Sequence, residues 1–186
     1  ILNMYFNRPE ETYLGLFGST LGCMLENISL IDFNIIGLGA IGGIVGCSYN
    51  DNVSNCYAEG TIEGVAQIGL LMYFFEGFSI ENCHVKGEII ASRGWIGGLI
   101  SMCSASSVKN SSAITKLSSG DSMSIGGLFG YCINTSQIEN CYSESNISAK
   151  SEDVGGLIGL YVNFSNNNSY LRNCFSAGSI IAPTDS

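Results

Sequence analysis

The sequence predicts an all-β fold, a right-handed parallel β-helix (β-solenoid) of about six rungs, and three observations carry that expectation. A glycine-rich apolar block recurs from Tyr13, Ile41, Ile68, Ile96, Ile125 and Val154, in steps of 28, 27, 28, 29 and 29 residues. An asparagine follows in every unit, at Asn27, Asn55, Asn82, Asn110, Asn140 and Asn173, in steps of 28, 27, 28, 30 and 33. Two anchors in one register define a repeat of roughly 28 residues, and a fixed period decides architecture before local propensity does. The third observation is composition: 24 Gly, 2 Pro and 46% hydrophobic residues, with no window rich in Ala, Leu, Glu and Lys that would make a long helix.

Within a unit, each stretch has its own reason. Two residues before every anchor Asn stands an aliphatic side chain: Leu25, Val53, Ile80, Val108, Ile138 or Leu171. A polar residue separates it from the Asn. A second aliphatic column follows seven residues after the Asn, at Ile62, Ile89, Leu117, Ile147 and Ile180, and Ile35 joins it if the first unit holds one extra residue. Apolar and polar alternation with β-branched enrichment marks strands with one buried face, two or three per unit. Such a unit cannot bury its apolar face alone. Stacking at about 4.8 Å per rung aligns like residues and pairs each backbone with its neighbours, giving a stack on the order of 30 Å tall. The Gly-Gly pairs suit corners that need positive φ or close backbone approach. Right-handedness follows from the general crossover preference.

Residues 1–186 are read as a single repeat domain. A chain that opens on Ile1 in what reads as mid-strand is expected to be a piece of something larger. Net charge is −9 and pI about 4.3, with 7 scattered basic residues, so there is no electrostatic footprint for nucleic acid or an anionic membrane surface. The longest uncharged apolar run, 35–47, has 13 residues and five glycines, short of the roughly 18 that span a bilayer.

The blocks Gly15-Leu-Phe-Gly18, Gly43-Ile-Val-Gly46 and Gly156-Leu-Ile-Gly159, followed by Asn-Cys-Tyr at 55–57 and 140–142, resemble the GLUG-motif repeats of large bacterial surface and secreted proteins. The opening Leu2-Asn-Met-Tyr-Phe-Asn-Arg-Pro9 resembles the strand that leads into such arrays. The resemblance covers nearly the whole chain. It implies an extracellular repeat module, of the kind carried by adhesin-like proteins and by some immunoglobulin-cleaving proteases outside their catalytic domains, and no specific activity. The pattern breaks at Leu70-Leu-Met-Tyr73, at Ser101 and at Asn110-Ser-Ser112, which marks those rungs for local distortion or specialisation.

Candidate sites divide into ladders and one aromatic turn. Cys56, Cys83, Cys141 and Cys174 share the column after the Asn, and the expectation is free, buried thiols acting as small hydrophobes. Cys103 and Cys132 are the best bridged alternative. No Cys-x-x-Cys occurs and one His cannot complete a usual zinc site, so neither metal nor cofactor is expected. The six asparagines read as a structural amide ladder, each side chain satisfying buried backbone or its neighbours above and below. Sequons begin at Asn27, Asn52, Asn110, Asn134, Asn146, Asn163 and Asn167, as an Asn- and Ser-rich repeat gives by chance. His84 falls in a column with Tyr57, Tyr142 and Phe175 and reads as a member of an aromatic stack. Gly37-Leu-Gly-Ala-Ile-Gly42 matches a dinucleotide fingerprint, but a strand and no helix is expected after it. Glu26, Glu81 and Glu139 share an outward column with Lys109 and Arg172, and Glu59 and Glu144 share another with Lys86; mixed signs mark a solvated face. Glu81 with Glu59 or Glu88 is the loose alternative of an acid pair or Ca²⁺ site. Tyr73, Phe74, Phe75 and Phe78, with Trp95 joining from the next rung, form the candidate binding cluster, set against a role as corner filling.

The function expected is a non-enzymatic extracellular module for adhesion or structural display, secreted or on the cell surface, with no catalytic residues. Its partners would be a host or matrix glycan or protein, flanking domains of the same chain, and further copies joined end to end. The alternatives are a carbohydrate-binding or carbohydrate-processing β-helix, distinguished by a tight cluster of Asp, Glu, Arg or Lys in one groove, and a passive spacer to a catalytic domain elsewhere.

Overall fold

The computed structural model describes residues 1–134, 137–164 and 169–181, and every regular element in them is a β-strand. The first turn holds β1 (Tyr5–Leu14), β2 (Phe17–Leu21) and β3 (Met24–Glu26), and the second β4 (Ser29–Gly42), β5 (Val45–Tyr49) and β6 (Asn52–Ser54). The third turn is β7 (Tyr57–Gly69), β8 (Met72–Glu76) and β9 (Ser79–Glu81), and the fourth β10 (His84–Gly97), β11 (Ile100–Ser104) and β12 (Ser107–Lys109). Then come β13 (Ser112–Gly126), β14 (Phe129–Ile133) and β15 (Gln137–Glu139), followed by β16 (Tyr142–Gly155), β17 (Ile158–Val162) and β18 (Tyr170–Arg172). Beyond these six turns, β19 (Phe175–Ala177) and β20 (Ile180–Ile181) begin a seventh along β16.

Three parallel sheets run the length of the stack. The long sheet has the order β1-β4-β7-β10-β13-β16-β19, the middle sheet β17-β14-β11-β8-β5-β2 and the short sheet β18-β15-β12-β9-β6-β3. This is the expected parallel β-solenoid, with three strands per turn, one of them long enough to bend.

The columns read from the sequence are the columns of the ladder. Leu25, Val53, Ile80, Val108, Ile138 and Leu171 are in register, as are Ile35, Ile62, Ile89, Leu117, Ile147 and Ile180. Their inner members are buried and the last, at the open end, are exposed. The extra residue of the first unit is Asp32, a bulge with φ 57° between Ile31 and Phe33. Burying such columns against their like is the main favourable term, about 1.5–3 kcal/mol for each large aliphatic side chain.

The two corners use different chemistry. All six anchor asparagines take positive φ, between 52° and 58° for the five apart from Asn110 at 50°. Asn tolerates this left-handed conformation because its short amide bonds locally. The Gly-Gly pairs do not need positive φ; they need space. A Cβ on Gly97 would lie 1.9 Å from the Ile100 carbonyl oxygen of its own corner, and one on Gly98 would lie 2.1 Å from the Gly127 carbonyl of the next rung. Leu70 replaces the second glycine without disturbing the stack, since Ile68 and Gly69 stay in register with Ile96 and Gly97. The irregularities fall elsewhere, among them the bulges at Arg8/Thr12, Ile31/Phe33, Gly94/Trp95 and Ser119/Asp121. Gly37 to Gly42 all lie in β4, and β5 follows after one corner, so the dinucleotide fingerprint has no helix to hold a pyrophosphate.

Candidate functional site

The cysteine and asparagine columns form ladders at one corner. None of the eight cysteines forms a disulfide, Cys103 and Cys132 included, although those two are in register. The thiols of Cys56, Cys83, Cys141 and Cys174 donate to the carbonyl two residues earlier, at 3.2–3.3 Å. Where the column loses its cysteine, Ser111 makes the same bond to Lys109 at 2.7 Å and accepts the Cys83 N–H at 3.1 Å. Burial pushes Cys141 up to about 12, and its hydrogen bond with Cys56, together with burial, pushes Cys83 up. Cys83 and Cys141 are thereby held as thiols and act as packing groups, while the hydrogen bond with Cys83 lowers Cys56 to about 7.

The asparagine side chains are on the surface, and of the two roles read from the sequence they take the bond to neighbours above and below, not to buried backbone. Asn82 donates to Asn55 at 3.3 Å, Asn140 to Asn110 at 3.1 Å and Asn173 to Asn140 at 3.1 Å, while Asn110 turns to Glu81 at 3.4 Å. The position is fixed by backbone conformation, and the amide ladder is what a left-handed Asn can do from there. Asn27 begins the same column. Asn167 lies outside the described residues.

His84 stands in register with Tyr57 and Ser112, and its Nδ1 meets the Ser112 hydroxyl at 2.8 Å. Ser112 is only 3% exposed, too enclosed to attack a substrate. Burial holds the imidazole below its ordinary range. The aromatic stack appears two turns after His84, where Tyr142 and Phe175 lie 5.1 Å apart at 4°. The acidic columns are ion-paired: Glu139 with Arg172 and Lys109, Glu59 with Lys86, and Glu88 with Lys116. Hydrogen bonds from Lys86 and Tyr57 hold the Glu59 carboxyl below its usual range. With Glu59 and Glu88 each bound to a lysine, neither is drawn into an acid pair with Glu81. Among the described residues no three of His, Cys, Asp and Glu come together to hold a metal ion.

The candidate site is the outer side of the middle sheet. The aromatic cluster read from 73–78 splits there. Phe75 is fully buried, and its ring fills the space beneath Gly77, where a Cβ would lie 2.5 Å from it. Phe78 projects at the next corner, 64% exposed. Tyr73 and Phe74 remain together on the half-buried face, ring centres 6.0 Å apart, with Tyr49 against Phe74 at 5.3 Å. Burial raises the Tyr73 phenol above its ordinary range. Trp95 does not join them; it stacks on Tyr131 at 5.5 Å and 19°.

Register explains the layout. Cys47, Phe74, Met102, Tyr131 and Leu160 occupy one column of β5, β8, β11, β14 and β17, an apolar stripe along the stacking axis. Beside its far end lies a groove of about 670 Å³, lined by Trp95, Met123, Leu160 and the polar residues Asp121, Lys150, Glu152 and Asp153. The groove exists because one column shrinks: Trp95, Ser124 and Asp153 are in register, and Ser124 leaves open the volume that a ring fills one turn earlier. A second column, Arg93, Asp121 and Lys150, alternates in sign along the rim. The period alone gave no sign of Tyr131 or of these carboxylates as partners of Trp95.

The family model described as the GLUG motif matches residues 37–63. An immunoglobulin A1 protease of Streptococcus sanguinis is 31% identical over 143 residues, covering 71% of this chain and 8% of that protein. The immunoglobulin A1 protease of Streptococcus pneumoniae is 27% identical over 143 residues, 71% of this chain and 7% of its own. The chain thus spans less than a tenth of the length of the curated relatives it matches. A crystal structure of a candidate immunoglobulin A1 protease from Bacteroides ovatus aligns with a TM-score of 0.57 at 16% identity, over 98% of this chain and 66% of that one, a likeness of fold.

Proposed function

We propose that this chain, a β-solenoid carrying the GLUG motif, is a non-catalytic repeat module of a longer secreted or surface protein, and that its middle sheet recognises an extracellular ligand. The carrying observation is the apolar stripe of Phe74, Met102, Tyr131 and Leu160 along one outer face, flanked by Tyr73 and Trp95. Aromatic rings with one apolar face and a polar rim are what ligand-recognising surfaces use. The solenoid supplies rigidity: each rung is hydrogen-bonded to its neighbours, so a row of rings keeps its spacing. The matched relatives are named for proteolysis of immunoglobulin A1, and the match is a small fraction of their length, which favours a supporting over a cleaving role.

The test is a binding screen of the purified chain against extracellular-matrix proteins and a glycan panel, with Phe74→Ala and Tyr131→Ala alongside. Phe75 is unsuitable for this purpose, being core. Binding that either variant abolishes supports the reading; silence across the panel with the fold intact makes the chain a passive spacer.

Carbohydrate processing is the second reading, favoured by Asp121, Glu152 and Asp153 beside Lys150 in one groove. Release of reducing ends or of unsaturated sugar from any polysaccharide of the panel would establish it.

A further inference from the structure

We infer that the groove beside Trp95 is a glycan subsite for a chain of sugars without acidic groups. This rests on the reading that the middle sheet's outer face recognises a ligand, and it names the ligand class.

Three features of the groove point there. The first is the indole: Tyr131 covers one face of Trp95 in a near-parallel stack at 5.5 Å, fixing the ring, and Trp95 lines the groove. A ring held in advance loses little entropy when a ligand's apolar C–H face settles on it. The second is the rim, where the carboxylates of Glu152 and Asp153 and the Ser151 hydroxyl stand beside Trp95. Carboxylates accept and never donate, so they suit a ligand rich in hydroxyl donors, and O–H bonds to a carboxylate are among the stronger hydrogen bonds. Size is the third: about 670 Å³ falls within the usual range for small-molecule sites.

Charge then selects among glycans. The lining holds three carboxylates against one ammonium, on a chain of net charge −9. Uronic, sialic or sulfated sugars would place like charge against Glu152 and Asp153, where neutral hydroxyls meet acceptors. The apolar stripe runs from this groove along the stack, so an extended oligosaccharide can continue past Tyr131 toward Met102 and Phe74.

Trp95 is the chain's single tryptophan, so its fluorescence reports on this groove alone. The full chain would be titrated with oligomers of glucose, of N-acetylglucosamine and of galacturonate. The expected result is a saturable change in emission with at least one neutral oligomer and none with oligogalacturonate. Glu152→Gln with Asp153→Asn keeps the fluorophore and should weaken binding about tenfold or more, the loss of a charge-assisted hydrogen bond or two. Both side chains are at the surface end of β16, so a matching melting temperature separates lost contact from lost fold. Emission that ignores every neutral oligomer, that responds to oligogalacturonate, or that responds unchanged in the double variant overturns the inference. A matrix protein bound through Phe74 while Trp95 stays silent leaves the broader reading standing; no ligand of any class removes both.

Discussion

The carboxylate of Asp51 accepts the hydroxyl of Thr20 at 2.5 Å across one turn of the solenoid, 31 residues away. The same fully buried carboxylate accepts the Ser48 hydroxyl at 2.6 Å and the Cys23 N–H at 2.7 Å, tying the corner of the second turn to the first. Asp51→Ala would remove the partner of the buried Ser48 hydroxyl and of the half-buried Thr20 hydroxyl and Cys23 N–H, at a cost of up to about 3 kcal/mol. Asp51→Asn keeps one acceptor oxygen and should lose less. Urea unfolding midpoints of the two variants check the order; equal midpoints for Asp51→Ala and the parent would show that the corner relaxes.

Gly97→Ala should be among the most damaging substitutions in the chain. The new methyl would meet the Ile100 carbonyl at 1.9 Å in a corner whose backbone is already hydrogen-bonded to the rungs on either side. A loss of more than about 3 kcal/mol is expected, in the range reserved for named steric faults. Circular dichroism melting against Gly22→Ala, where nothing stands within 4 Å but φ is +66°, separates lack of space from backbone preference.

Thiol labelling of the native protein should reach Cys23 and Cys174 first, the two that are half-buried, and leave Cys83 and Cys141 until the chain unfolds. Burial holds Cys141 at about 12, so its thiolate is scarce at any pH where the fold is tested. Cys141→Ser should be tolerated within about 1 kcal/mol, because Ser111 already fills that column with the same hydrogen bond. Mass-resolved labelling kinetics and a melting curve decide both points.

Stability should fall as pH drops through the histidine range. Burial lowers the folded-state pKa of His84, so the unfolded chain takes up the proton first. The contribution is complete above the ordinary histidine pKa of about 6.5 and is lost progressively below it. His84→Tyr, which copies Tyr57 of the preceding turn, should flatten the melting temperature between pH 7 and pH 5. A profile with the same slope in the variant would assign the effect to other groups.

How much was legible follows from what a solenoid repeats. The columns 25-53-80-108-138-171 and 35-62-89-117-147-180 are the ladders of the structure, because parallel strands in register place equal repeat positions one above another. The mixed-sign columns were legible for the same reason, and Glu139 with Arg172 is the result. Phe75 against Phe74 was not. Both lie in one run of aromatics, and register with the buried Ser48 and Cys103 of the neighbouring rungs turns Phe75 inward. Of the two glycine roles read from the sequence, the Gly-Gly pairs take close approach, and the left-handed backbone falls to the asparagines, which the repeat did not show.

By itself, the sequence determined the architecture: the number of turns, the register and the aliphatic ladders of the core. Period and hydrophobic pattern suffice for this, since each rung buries the same face against its like. Tertiary structure decided which outward side chains meet around the corners. Trp95 and Tyr131 are 36 residues apart and in different sheets, and Asp121, Lys150, Glu152 and Asp153 gather beside them because long strands bend at a bulge and a tryptophan gives way to a serine in the next turn. Column spacing carries no information about that bend. The angle between two sheets, set by backbone packing at each corner, brings the columns together.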